Sequence, residues 1–143
     1  MADAQKAGAE FVAAFNAHDE SRIRALNAEN TIFEGPGDVR LEGKELATQY
    51  AMAWVRAFPD ARITVHHELQ DGDWLAQQFT FEGTHEHTLS GPSGEIPATH
   101  RKLRGRGVQL LRVQDDAITE TQLYFDQVQV LTQLGVMPEP AAT

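Results

Sequence analysis

The sequence predicts an α+β fold in which helices come first and a curved antiparallel sheet wraps around them as a half-cone with an internal cavity. Three observations carry this expectation. Apolar residues recur at helical spacing as far as Phe58, period two takes over from Ala61, and turn residues punctuate the second half at hairpin spacing. Nothing in the 143 residues marks a boundary, a repeat or a low-complexity stretch, so one domain spanning 1–143 is expected, with Glu139 to Thr143 as a loose tail. A chain of this size buries roughly 70% of its unfolded surface, enough for a true core.

In chain order, Asp3 can cap a first helix whose Ala7, Phe11, Ala14 and Phe15 form one buried stripe. Asp19 can cap a short second helix through Ile23 and Leu26. Thr31 to Phe33 read as a brief strand closed by Gly35-Pro36-Gly37, and Val39 to Leu41 as another. Gly43 opens a long helix that Pro59 closes, with Leu46, Tyr50, Trp54 and Phe58 as its stripe. Long strands follow at residues 61–69, 74–88 and 100–113, with Asp71-Gly72 and Asp115-Asp116 as tight turns and residues 90–99 as a polar loop able to act as a lid. The last strand runs from Ala117 to Asp126, and a helix with Val128, Leu131 and Leu134 at one spacing ends at Gly135.

Composition excludes several functions. Twelve Lys and Arg stand against twenty-one Asp and Glu, a net charge of −9, which disfavours nucleic acid and anionic membranes as partners. With no cysteine there is no disulfide, thiolate nucleophile or thiolate-bound metal. The opening MADAQKAGAE has no apolar leader core, and no apolar run reaches the ~18 residues of a membrane span, so a soluble cytoplasmic protein is expected. Six histidines raise the question of a metal, but His66 and His67 point apart on a strand, and His85 and His87 have no third ligand at recognisable spacing. No metal and no cofactor is expected. There is no nucleophile elbow and no phosphate-cradling glycine loop either.

The chemistry concentrates at the end of the last strand. A two-residue turn at Asp115-Asp116 pairs Gln122 with Gln109, Tyr124 with Gly107 and Asp126 with Gly105, which would leave open volume over Tyr124 and Asp126. A bulge near Gly105 would place His100, Lys102 and Arg104 on the face of Asp126; without one, Arg101 and Leu103 share it. Asp126 can equally be the N-cap of the final helix. His85 shares parity with Phe79 and Phe81 and is the histidine expected to partner the pocket, while Phe33, Trp54 and Tyr124 are aromatic groups of the kind that line one.

The run DQVQVLTQLGVMP, together with AFPDARITV (Ala57 to Val65), FEGTHEH (Phe81 to His87) and GEIPATHRK (Gly94 to Lys102), resembles the SnoaL-like polyketide cyclases. The opening FNAHDESRIRALNAENTIFEGPG is similar to that of the wider nuclear-transport-factor-2-like, or cystatin-like, superfamily, and the likeness runs from about Glu10 to Pro138. The resemblance implies a cone-shaped α+β fold, a homodimer through the outer sheet face, and a pocket for an apolar or polycyclic ligand. It also implies a cofactor-independent cyclase with Asp126 as general acid/base for an intramolecular aldol closure; on the reading of the residues themselves, Gln122, Tyr124 and His85 are expected to orient the substrate, with Gln109, Trp54 and Phe33 in the pocket wall. The alternatives are a non-catalytic binding protein of the same fold, or a cofactor-free hydroxylase or epoxide hydrolase. Where that family commonly carries Glu-His-Trp, this chain has Glu120-Thr121-Gln122.

Overall fold

The computed structural model describes residues 3–91 and 94–138; the expected tail, residues 139–143, lies outside them. Helix α1 (Asp3–Asn16) and α2 (Glu20–Leu26) lead into β1 (Asn27–Gly35) and β2 (Val39–Glu42), and α3 (Lys44–Ala57) follows. The strands β3 (Arg62–Asp71), β4 (Trp74–Thr84), β7 (Lys102–Gln114) and β8 (Ala117–Phe125) come next, with the small hairpin β5 (Leu89–Gly91) and β6 (Gly94–Ile96) inserted, and α4 (Gln127–Gln133) closes the order. Six strands form one sheet in the order β2-β1-β8-β7-β4-β3, curved around the helices.

Several expectations are corrected in detail. The sheet is mixed, because β1 runs parallel to β8. No hairpin turn joins these two strands, so nothing local forces them antiparallel. The turn between β3 and β4 is Gly72-Asp73, since Asp71 already pairs with Trp74. The strand starting at Trp74 stops at Thr84, and part of the presumed loop is the β5–β6 hairpin. In α4 the buried residue is Val130, with the C-cap Leu134 buried beside it, while Val128 is exposed.

The decisive correction lies in the β7–β8 hairpin. Asp115 and Asp116 both adopt positive φ, 52° and 63°, as a two-residue turn matched to strand twist requires. Gln114 pairs with Ala117 and Val113 with Ile118, as the turn dictates, but the next pair is Arg112 with Glu120. Thr119 is therefore an extra residue, a bulge whose hydroxyl donates to the Arg112 carbonyl at 3.3 Å. Beyond it every side chain changes face: Gln109 pairs with Leu123 and Gly107 with Phe125, so Thr121, Leu123 and Phe125 turn inward and Gln122 and Tyr124 outward. No shift occurs near Gly105, where β7 pairs continuously with β4 from Lys102 to Arg112, so Lys102, Arg104 and Arg106 share the face opposite Leu103, Gly105 and Gly107.

The core follows from this alternation. Its larger part joins Phe15, Ile23, Met52, Phe58, Leu103 and Leu134 between the helices and the concave face; its smaller part joins Ala4, Ala7, Leu75, Leu111 and Ile118 beneath α1. Asn16 ties α1 to β3, donating to the Ile63 carbonyl at 2.9 Å and accepting from the Ile63 N–H at 2.7 Å. Asp60 ties the start of β3 to the end of β4, accepting from the Thr84 N–H at 2.6 Å and its hydroxyl at 2.8 Å. These bonds hold the Asp60 carboxyl below the usual carboxylate range.

Candidate functional site

The concave face does not close fully on the helices. Between α1, α3 and strands β4, β7 and β8 lies an inner chamber of about 100 Å³. Adjoining it is an outer chamber of about 590 Å³ bounded by α3, α4 and the β5–β6 hairpin. Tyr50, Trp54, Phe125 and Val130 line both and form the neck between them. The stripe on α3 is thus a chamber wall: Tyr50 and Trp54 face the neck, Leu46 the outer chamber, and only Phe58 is wholly buried.

Aromatic rings dominate the neck. Trp54 stacks on Phe58 at 5.8 Å and meets Phe81 and Phe125 edge-on at 5.4 and 5.6 Å, while Phe33 lies 4.3 Å from Tyr50. Each ring is braced by another, so the wall is pre-formed. Burial pushes the Tyr50 phenol up, partly offset by a hydrogen bond with Trp54, so the hydroxyl stays protonated at neutral pH. The inner polar groups include Asn27, Gln109 and Thr121, and no Asp, Glu or His lines the inner chamber among the described residues.

Of the residues singled out in the sequence, Gln109, Trp54 and Phe33 are brought together on the inner chamber. Tyr124, 56% exposed, and Gln122 stand on the other face of β8, where the Tyr124 hydroxyl donates to Gln122 Oε1 at 3.2 Å and Gln122 Nε2 to Glu120 at 2.6 Å. Asp126 is exposed and caps α4, its Oδ1 accepting from the Gln129 N–H at 3.1 Å. It lines neither chamber, although its neighbours Phe125 and Gln127 both line the outer one.

His85 is fully buried and stacks on Phe58 at 5.1 Å, off both chambers. Its Nδ1 accepts from the Thr99 N–H at 3.3 Å, which leaves the ring proton on Nε2, and that atom has no partner among the described residues. Desolvation is the main reason its pKa is lowered. No group of three or more potential metal ligands occurs among the described residues.

The reading from sequence missed Phe125, Leu123 and Thr121, because the bulge at Thr119 reverses parity, and it missed Asn27, which lies outside the strand expected there. Tyr50 and Phe81 were visible as periodic apolar positions without any sign that they faced a cavity.

The profile of the SnoaL-like polyketide cyclases matches residues 5–134. No curated protein matches the chain. Among solved structures, a proposed SnoaL-like polyketide cyclase from Jannaschia sp. CCS1 superposes with a TM-score of 0.83 at 17% identity, covering 95% of this chain and 94% of that one. AclR, a proposed hydroxylase from Streptomyces galilaeus, gives 0.80 at 23% identity over 99% and 86%. IdmH, a proposed polyketide cyclase from Streptomyces antibioticus, gives 0.75 at 27% identity over 93% and 99%.

Proposed function

Because the chain belongs to the SnoaL-like polyketide cyclase family, we propose that it holds a flat, apolar, polyketide-like ring compound, with one ring in the inner chamber and the rest of the molecule in the outer one. The observation that carries this reading is the set of braced aromatic rings, Tyr50, Trp54 and Phe125 at the neck and Phe81 beside them in the inner chamber, which offers π-faces and edges to a planar ligand. A chamber of about 100 Å³ is smaller than the ~150 Å³ cavity that accepts benzene, so a terminal ring seats in it only by extending into the neck, and the rest of the ligand lies in the outer chamber.

The family's acid/base chemistry, an aldol closure assisted by Asp126, calls for a carboxylate within hydrogen-bond reach of the ligand. Asp126 instead faces solvent as a helix cap. One observation favours a catalytic second reading: Asp126 sits between two residues of the outer chamber, Phe125 and Gln127, so a ligand protruding through the neck would end beside it. Hydrolysis of an epoxide needs a charge relay around a water, and the inner chamber offers no carboxylate for it among the described residues.

Calorimetry with a panel of polycyclic and terpenoid ligands, followed by recovery of each ligand, separates the readings. Binding of planar aromatics with the ligand returned unchanged supports a binding protein. Turnover that disappears in Asp126→Asn while affinity persists supports the acid/base reading. A failure of every planar ligand to bind overturns both.

The family expectation of a homodimer falls on the outer sheet face, where Leu69, 75% exposed, continues a row with Ala76 and Leu110, and Tyr124 pairs with Val108. We propose this face as the interface, and a monomeric mass by light scattering at high protein concentration contradicts it.

A further inference from the structure

One polar side chain of the inner chamber is held by a row of amides that ends on a surface carboxylate. Glu68, Gln77 and Gln109 are direct cross-strand neighbours on β3, β4 and β7. Gln77 Nε2 donates to Glu68 Oε2 at 2.7 Å, and Gln109 Nε2 donates to Gln77 Oε1 at 2.8 Å. Gln77 is fully buried and Gln109 is 5% exposed. Helix α1 is pressed onto the row at Gly8, where any Cβ would come within 2.8 Å of Gln77 Nε2.

The direction of this row is dictated from its outer end. An ionised carboxylate only accepts hydrogen bonds, so Glu68 draws the NH2 of Gln77 toward itself and thereby turns the Gln77 carbonyl toward Gln109. Gln109 must then commit an N–H to Gln77. Its own carbonyl is left without a protein partner among the described residues, on a residue that lines the inner chamber. Asn27 repeats the pattern on the same chamber, its Nδ2 donating to the Ile23 carbonyl at 3.1 Å.

We propose that Gln109, oriented by Glu68 through Gln77, is the specificity-determining acceptor of the inner chamber, and that the ring buried there bears a hydroxyl or N–H donor. A donor satisfies the carbonyl, whereas a methyl group in its place leaves a polar atom unpaired among aromatic walls, and that difference discriminates. Glu68 is a positioning residue in this scheme, since it reaches the ligand only through the two amides. The inference rests on the chamber being a ring-binding site, as proposed above.

The test compares 2-naphthol with its near-isostere 2-methylnaphthalene by calorimetry on the intact protein. In Gln109→Leu, the affinity of 2-naphthol relative to 2-methylnaphthalene falls about tenfold, while 2-methylnaphthalene binds at least as tightly as before. In Glu68→Gln, a surface change that leaves the core packing alone, the row can reverse and the same ratio falls in the same direction. An unchanged ratio in Gln109→Leu overturns the proposal, and an unchanged ratio in Glu68→Gln overturns the role of Glu68. If both compounds bind the wild type and neither variant alters the ratio, the inference fails while the ring-binding site stands. If neither binds, the site itself is refuted and the inference falls with it.

Discussion

Gly105 and Gly107 both face the concave side of β7, but for different reasons. A Cβ on Gly107 would come within 2.8 Å of both the Phe79 ring and the Tyr124 carbonyl, whereas one on Gly105 would meet only Gln129 Oε1 at 3.6 Å. Gly107 therefore admits the Phe79 ring against the backbone of β8, and Gly105 leaves space. Gly107→Ala should destabilise the protein by about 1–3 kcal/mol through overpacking, and Gly105→Ala by much less; urea unfolding midpoints measure both. The two glycines were legible in the sequence, there as open volume over Tyr124 and Asp126 rather than as room for the Phe79 ring. Their partners were not, because a single threonine inserted at position 119 moves Phe125, not Tyr124, opposite Gly107.

His85 is a second position where type was legible and setting was not. Parity with Phe79 and Phe81 marks an inward side chain, and it is inward, but it packs on Phe58 and Thr99 outside the chambers. Its lowered pKa gives a sign to pH dependence: the unfolded chain binds the proton more readily, so this contribution is whole above the ordinary histidine value of ~6.5 and is lost as pH falls below it. The unfolding midpoint should drop between pH 7 and pH 5. His85→Gln should flatten that slope, and an equally steep slope in the variant counts against the assignment.

At the scale of elements, α4 is defined by its two caps. Asp126 caps the helix through Gln129, and the other end closes with a glycine at φ 77°, where the Gly135 N–H donates to the Thr132 carbonyl and the Val136 N–H to the Leu131 carbonyl, both at 3.0 Å. The helix is only seven residues long and carries no charged side chain, so its caps matter to it. Asp126→Ala should cost about 1 kcal/mol of stability. The same variant should leave the affinity for planar ligands unchanged; a large loss of affinity would place the carboxylate against the ligand.

The helices could be read from spacing and caps because those signals are local. The β5–β6 hairpin and the full length of β1 could not, since β1 owes its residues before Thr31 to the sheet and its parallel neighbour β8 lies far along the chain.

For the whole molecule, hydrophobic periodicity points to helices against a curved sheet, and the superposition on the Jannaschia structure at a TM-score of 0.83 agrees with that fold. The cavity is a property of neither helices nor sheet alone. It exists where the α3 stripe, the concave face of β4, β7 and β8, and the hairpin at the mouth fail to meet; a cavity was expected from the fold class, but a misfit among distant elements leaves no periodic trace that locates it. What the sequence does carry is the lining chemistry, rings on α3 and amides on the strands.

A crystal structure of the protein soaked with 2-naphthol tests the central claim most directly. The account predicts one ring in the inner chamber against Trp54, Phe81 and Phe125, with its hydroxyl beside Gln109 and its second ring crossing the neck toward the β5–β6 hairpin. Ligand found only on the outer face of the sheet, with the inner chamber filled by water, would contradict it.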